Sequence, residues 1–156
     1  SDAPKPYSSR SAMNHTRETS PYSRAWISDA PRLLTTSLRA IDTRSITDLG
    51  HAARLSYLRM FGTMFAADPP IVYWLPQSLE AIQRLQQLRD GGVPVWETMD
   101  AGPQIKAITT VEYAQRVAEN LRDVAVIEPI VSAVGAGARV IDGGNNDTRR
   151  DKNVSL

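Results

Sequence analysis

The sequence predicts a mixed α+β domain in which helices cover a small, mostly antiparallel sheet. Three observations carry that prediction. Apolar residues in the first half recur at steps of three and four, the helical period. Residues 93–109 read as two short strands around a tight turn. Strand and helix do not alternate throughout, which excludes a doubly wound parallel sheet.

The elements follow in order. Residues 1–8 read as an extended entry segment, and Ser9 to about Ser20 as a short helix stopped by the restriction that Pro21 places on Ser20. A second helix is expected from Pro21 through Trp26, with Pro31 breaking or kinking it before Leu33 and Leu34. The longest helix is expected near 45–66, where Ile46, Leu49, Ala53, Tyr57, Met60 and Met64 form one core-facing stripe. Asp68-Pro69-Pro70 ends it, and Ile71 to Leu75 is an apolar connector in which Tyr73-Trp74 reads as core packing. Pro76 opens a helix carrying Leu79, Ile82, Leu85 and Leu88, with Gly91 as its stop. Strands at 93–99 and 104–109 flank the Asp100 turn. Thr109 and Glu112 have capping-box spacing for a helix over 110–123, with Ala114, Val117, Ala118 and Leu121 inward. Val126–Val134 and Ala138–Ile141 read as a last strand pair. The domain is thus expected over 1–142, followed by a polar tail at 143–156 with nothing to bury.

Composition narrows the function. A length of 156 residues suits one domain, and 42% hydrophobic with 22% charged residues suits a globular one. Eighteen basic residues against seventeen acidic ones give no electrostatic case for nucleic acid. Cysteine is absent, which excludes disulfides and thiolate chemistry, and two histidines, His15 and His51, argue against a histidine-rich metal site. No apolar run approaches the ~20 residues of a bilayer span, and no signal-peptide pattern opens the chain, so a cytoplasmic protein without membrane contact is expected. There is no initiator Met, and Ser1-Asp2-Ala3-Pro4-Lys5-Pro6 reads like a loop leaving a preceding element. The chain is expected to be trimmed or to be the second part of something longer.

Two constellations carry chemistry. Thr98-Met99-Asp100-Ala101-Gly102-Pro103 puts a carboxylate at the end of an apolar strand, beside residues that turn tightly and admit a ligand. A rigid strand positions such a carboxylate for acid/base work while the loop leaves room for substrate; taken alone, the segment equally fits a turn aspartate holding its own backbone. Lys106, two residues into the second strand, either faces Asp100 or solvates the sheet edge. Ser8-Ser9-Arg10-Ser11-Ala12-Met13 precedes a helix, where hydroxyls, free N–H groups and a guanidinium fork can hold a phosphate or diphosphate. Alone, it also fits an ordinary capped helix start. His15 reads as exposed.

In register, Ser8–Met13, Glu18–Tyr22, Trp26, Leu58-Arg59-Met60, Pro69–Trp74 and Asp100–Pro103 resemble the C-terminal half of diphosphomevalonate decarboxylases, ATP-dependent enzymes of the GHMP kinase superfamily. The resemblance runs from about residue 5 to about 142. It implies that Asp100 meets the substrate 3-hydroxyl as catalytic base, that Ser9 and Arg10 hold the diphosphate, and that Met13 and Ala101 line the same pocket. It implies mevalonate 5-diphosphate as substrate and isopentenyl diphosphate as product, ATP and Mg2+ bound mainly by an N-terminal half outside this chain, and a homodimer.

Four positions depart from the family pattern. Ala12 stands for glycine, Gln104 for asparagine, Phe61 for the histidine of a Met-His pair, and Arg54 for an acidic residue shortly before Met60. Gly135-Ala136-Gly137 precedes an expected strand rather than a helix, so it cannot replace the family's phosphate loop. The isolated chain is therefore expected not to turn over. A 5-monophosphate substrate, or a catalytically inactive stand-alone interaction domain, is the alternative.

Overall fold

The computed structural model describes residues 8–100, 102–125 and 128–138. Among the described residues are five helices and one antiparallel ribbon: α1 (Ser9–Thr19), α2 (Ser23–Asp42), α3 (Ile46–Phe65), α4 (Pro76–Asp90), β1 (Val95–Met99), β2 (Ile105–Thr109) and α5 (Val111–Leu121). The α+β class predicted from sequence is the one observed. β1 pairs with β2 in a register that sets Thr98 opposite Lys106 and Met99 opposite Ile105.

Local chemistry fixes the helix starts. The Ser8 and Ser45 hydroxyls accept from the amides of Ser11 (3.1 Å) and Asp48 (3.2 Å), each satisfying a donor that its helix start leaves open. At α4, the Leu75 amide donates to the Ser78 hydroxyl at 3.2 Å, and that hydroxyl donates to the Pro103 carbonyl at 3.0 Å. One serine therefore ties the start of α4 to the turn beside Asp100.

Several sequence expectations need correction. Pro31 does not break the second helix. It lies inside α2 on the exposed side with Ile27, whose carbonyl its ring leaves without an amide partner, and solvent can take that bond. On α3 the apolar stripe is shifted: Phe61 is the fully buried residue, with Gly50, Ala52, Tyr57, Thr63 and Met64, whereas Ile46, Leu49, Ala53 and Met60 are half-buried. Gly91 caps the end of α4 as expected, with φ −80°, and the positive φ falls on the next residue, Gly92 (87°). α5 starts after Thr110, with no capping bond from its hydroxyl; Thr109 instead donates to the Pro94 carbonyl at 2.9 Å, closing the ribbon end. Residues 128–134 form no strand, so the predicted final pair is not seen among the described residues. The tail expected at 143–156 and residues 139–141 of the expected last strand lie outside them.

Two apolar clusters hold the layers. One joins Ala12 of α1, Tyr57, Phe61 and Met64 of α3, Ile71 and Tyr73 of the connector, and Met99 of β1. Trp74 packs edge-on to Phe61 (centroids 5.5 Å) and Phe65 (5.4 Å), as core packing requires. The other joins Leu85, Val93, Val95 and Val117 between α4, the ribbon and α5. Gly50 lets α3 lie flat on Trp96, since an added Cβ would stand 2.2 Å from the indole.

Candidate active site

β1 is buried at four of its five positions, so its C-terminal end is a fixed point from which Asp100 emerges. The turn itself is packed from below. Gly102 has φ +62°, and a Cβ there would meet Met99 Sδ at 3.0 Å and Tyr73 Cβ at 3.2 Å. Glycine thus serves both the left-handed backbone and the close approach. Above this floor the Asp100 carboxylate is 85% exposed, with Lys106 Nζ 4.0 Å away. The open question about Lys106 resolves toward Asp100: cross-strand pairing with Thr98 puts Lys106 on the Thr98/Asp100 face. A cavity of about 340 Å3 opens beside them, against α2 and α3.

The second constellation is a helix N-terminus, as predicted. Ser9 and Arg10 occupy the first turn of α1, exposed, and Arg10 lines a shallow depression with Ser8, Ser11, Asn14, His15 and Glu18. Met13 is 70% exposed on the next turn. His15 corrects the expectation: it is half-buried, and its Nε2 lies 2.9 Å from the Pro69 carbonyl, pinning α1 to the turn after α3. Ala12 turns its methyl into the core at 2% exposure, so its replacement of glycine does not crowd a ligand. Ala101 lies outside the described residues.

Sequence reasoning missed Glu97. It is the one buried charged residue among those described, fully enclosed on β1 three residues before Asp100. Arg54 Nε donates to its Oε1 at 2.5 Å, the Tyr57 hydroxyl donates to the same oxygen at 3.2 Å, and Arg89 Nη1 donates to Oε2 at 3.1 Å. Arg89 also donates to the Val95 carbonyl at 2.9 Å. Burial, and next the Glu97 charge, push the Tyr57 phenol well above the ordinary tyrosine range. The signal was available: a lone Glu in an apolar strand, and an Arg54 that departs from the family pattern.

No three His, Cys, Asp or Glu side chains among the described residues come together, and none of the five helices opens on a glycine-rich loop. No described helix is long and apolar enough to cross a membrane.

A carboxylate at a packed turn stands beside an open cavity, and its strand shares a core cluster with the cationic helix start whose motif carries the other half of the resemblance noted in the sequence. The comparisons bear out that resemblance. No family model matches the chain. The phosphomevalonate decarboxylase of Haloferax volcanii is 36% identical over 86 residues, covering 54% of this chain and 26% of that protein. The mevalonate diphosphate decarboxylase of Enterococcus faecalis, in a structure concerned with ATP binding mediated by mevalonate diphosphate, superposes with TM-score 0.73 at 35% identity, covering 78% of this chain and 38% of that one. A solved complex with MVAPP, AMPPCP and magnesium gives TM-score 0.74 at 35% identity over 79% of this chain and 38% of that one. The chain thus spans about a quarter of the curated relative and under two-fifths of these solved ones, and it resembles part of a mevalonate diphosphate decarboxylase in sequence and fold.

Proposed function

We infer that this chain, over residues 1–142, is the C-terminal half of a mevalonate 5-diphosphate decarboxylase and supplies one wall of its active site. The observation that carries the reading is the shared core cluster, in which Ala12 of the Ser-Ser-Arg helix and Met99 of the Asp100 strand pack together. The two motifs are thereby held in one rigid frame.

In this reading Ser9, Arg10 and the free amides at the start of α1 bind the substrate diphosphate. The guanidinium gives directional donors, and the helix end adds its positive potential. Asp100 accepts the hydrogen bond of the tertiary hydroxyl and orients or deprotonates it. Fixed donors at the far end keep the substrate from moving while charge redistributes at the reacting carbon. ATP, held by the part of the protein outside this chain, supplies the phosphoryl group that turns the hydroxyl into a leaving group for loss of phosphate and carbon dioxide. The family's Mg2+ belongs to that same part. Homodimer formation, which rests on the resemblance, and the cytoplasmic location expected from the sequence complete the reading.

The test is an assay of the complete protein that carries this chain, with mevalonate 5-diphosphate and ATP. Coupled release of ADP and carbon dioxide is expected, with none from the 156-residue chain alone. Steady release from the chain alone would contradict the division of labour. The Haloferax relative favours a second reading, in which the 5-monophosphate is the substrate. A higher kcat/KM for the monophosphate would select it.

A further inference from the structure

We propose that Ser78 is a positioning residue for Asp100, its hydroxyl holding in place the turn that carries the carboxylate; the role of Asp100 itself rests on the reading above. The β1–β2 ladder closes at Met99 opposite Ile105, so Asp100 lies in the link 100–104, beyond the last paired residues. Gly102 in that link rests on Met99 and Tyr73. Such apolar contact limits approach but, being non-directional, does not aim the turn. A hydrogen bond does. The Ser78 hydroxyl donates to the Pro103 carbonyl at 3.0 Å and accepts from the Leu75 amide at 3.2 Å. The Leu75 N–H supplies the proton of one bond, so the serine proton is committed to Pro103, and the hydroxyl cannot rotate without losing it. Ser78 is only 4% exposed, so a broken bond leaves a buried polar group without its partner.

The helix behind Ser78 makes that bond a fixed reference. Near the other end of α4, Arg89 donates to the Val95 carbonyl at 2.9 Å and to Glu97 Oε2 at 3.1 Å, and Leu85 is buried against Val93 and Val95. α4 therefore grips the strand at its base and the turn at its tip, across about 16 Å of helix. Asp100 stands in the chain between those two grips. A general base must come within about 2.6–3.2 Å of the atom whose proton it takes, so a carboxylate carried on a turn tolerates little drift. A misplacement of about 1 Å can cost on the order of 100-fold in rate. The cavity beside Asp100 is lined without Ser78, so the influence of this serine passes through the turn. The diphosphate-binding start of α1 is a separate element, which Ser78 does not hold.

The experiment is steady-state kinetics of the complete protein that carries this chain, with ATP and whichever of mevalonate 5-diphosphate and the 5-monophosphate it prefers. Ser78→Ala is expected to lower kcat by about 10–100-fold while KM for the mevalonate substrate moves less than about threefold. Ser78→Thr keeps the hydroxyl and should recover most of the loss. Ser78→Cys fills the same space with a weak donor and should lose about fivefold in kcat, so it decides the matter if the alanine variant does not fold. Ser45→Ala is the control. It removes a comparable bond at the start of α3, to the Asp48 amide at 3.2 Å, without touching the turn, and its kcat should stay near that of the wild type. A kcat loss under about twofold in Ser78→Cys would overturn the role, as would a loss in Ser78→Thr or Ser45→Ala equal to that in Ser78→Ala. Asp100→Asn, run alongside, separates the two readings. Turnover lost there but kept in Ser78→Ala removes the positioning role alone. Turnover kept in Asp100→Asn, or absent from the wild type, removes the base and the positioning role with it.

Discussion

Glu97 and Asp100 stand three residues apart on one strand and its turn, yet they live in opposite environments. Glu97 is fully enclosed and bonded to Arg54, Arg89 and Tyr57; Asp100 is 85% exposed with Lys106 4.0 Å away. The difference teaches how a strand divides its carboxylates. The buried one fixes β1 to α3 and α4, and the exposed one, carried on that fixed frame, stays open to solvent. An ion cluster inside a protein is costly to form and costlier to break from one side, because each remaining charge is stranded. A part-exposed pair is worth little to stability.

The sharpest way to break the contrast is to remove the buried member. Glu97→Ala is expected to destabilise the fold by about 3–5 kcal/mol, since Arg54 and Arg89 lose their shared counter-charge. Urea unfolding measures it, and a loss under about 1 kcal/mol would mean the cluster is solvated. Gly50→Ala tests the neighbouring contact. The new methyl must displace the Trp96 indole, so a cost of about 1–3 kcal/mol is expected, with a changed near-UV spectrum.

A pH series probes the same cluster. The Tyr57 phenol is raised in the folded state, so its contribution is fully present below the ordinary tyrosine range and fades as pH climbs toward the folded value. Denaturation midpoints should therefore drop as pH rises above about 10, the unfolded tyrosine value, and Tyr57→Phe should flatten that drop. An identical slope in both proteins would place the titration elsewhere. The smallest effect is expected at the other carboxylate. Asp100→Asn should change stability by less than about 0.5 kcal/mol, as befits an exposed site away from caps and core. A large loss would make Asp100 a structural turn residue.

Much of the frame was legible in the sequence because local signals and burial agree there. Ser8 caps α1, Pro76 opens α4, and Asp100 ends an apolar strand beside Gly102, so each boundary has a chemical marker. Errors arose where tertiary context overrode a local rule. Pro31 is carried through α2 because its defect faces solvent, and Thr109 bonds Pro94 rather than capping α5. The α3 stripe slipped because Gly50 and Ala52, too small to mark a face, are what the ribbon side demands. Glu97 was passed over for a related reason. A charge in a strand reads as an outward position until three partners from two helices are seen to enclose it. Lys106 could be placed beside Asp100 only once the register was known.

The most direct test of the central claim is carbon dioxide release from carboxyl-labelled mevalonate 5-diphosphate by the complete protein, wild type against Asp100→Asn. Release by the wild type, reduced at least about 100-fold in the variant with the fold intact, is the predicted result. Undiminished release from Asp100→Asn, or none from the wild type with either the diphosphate or the monophosphate, would contradict it.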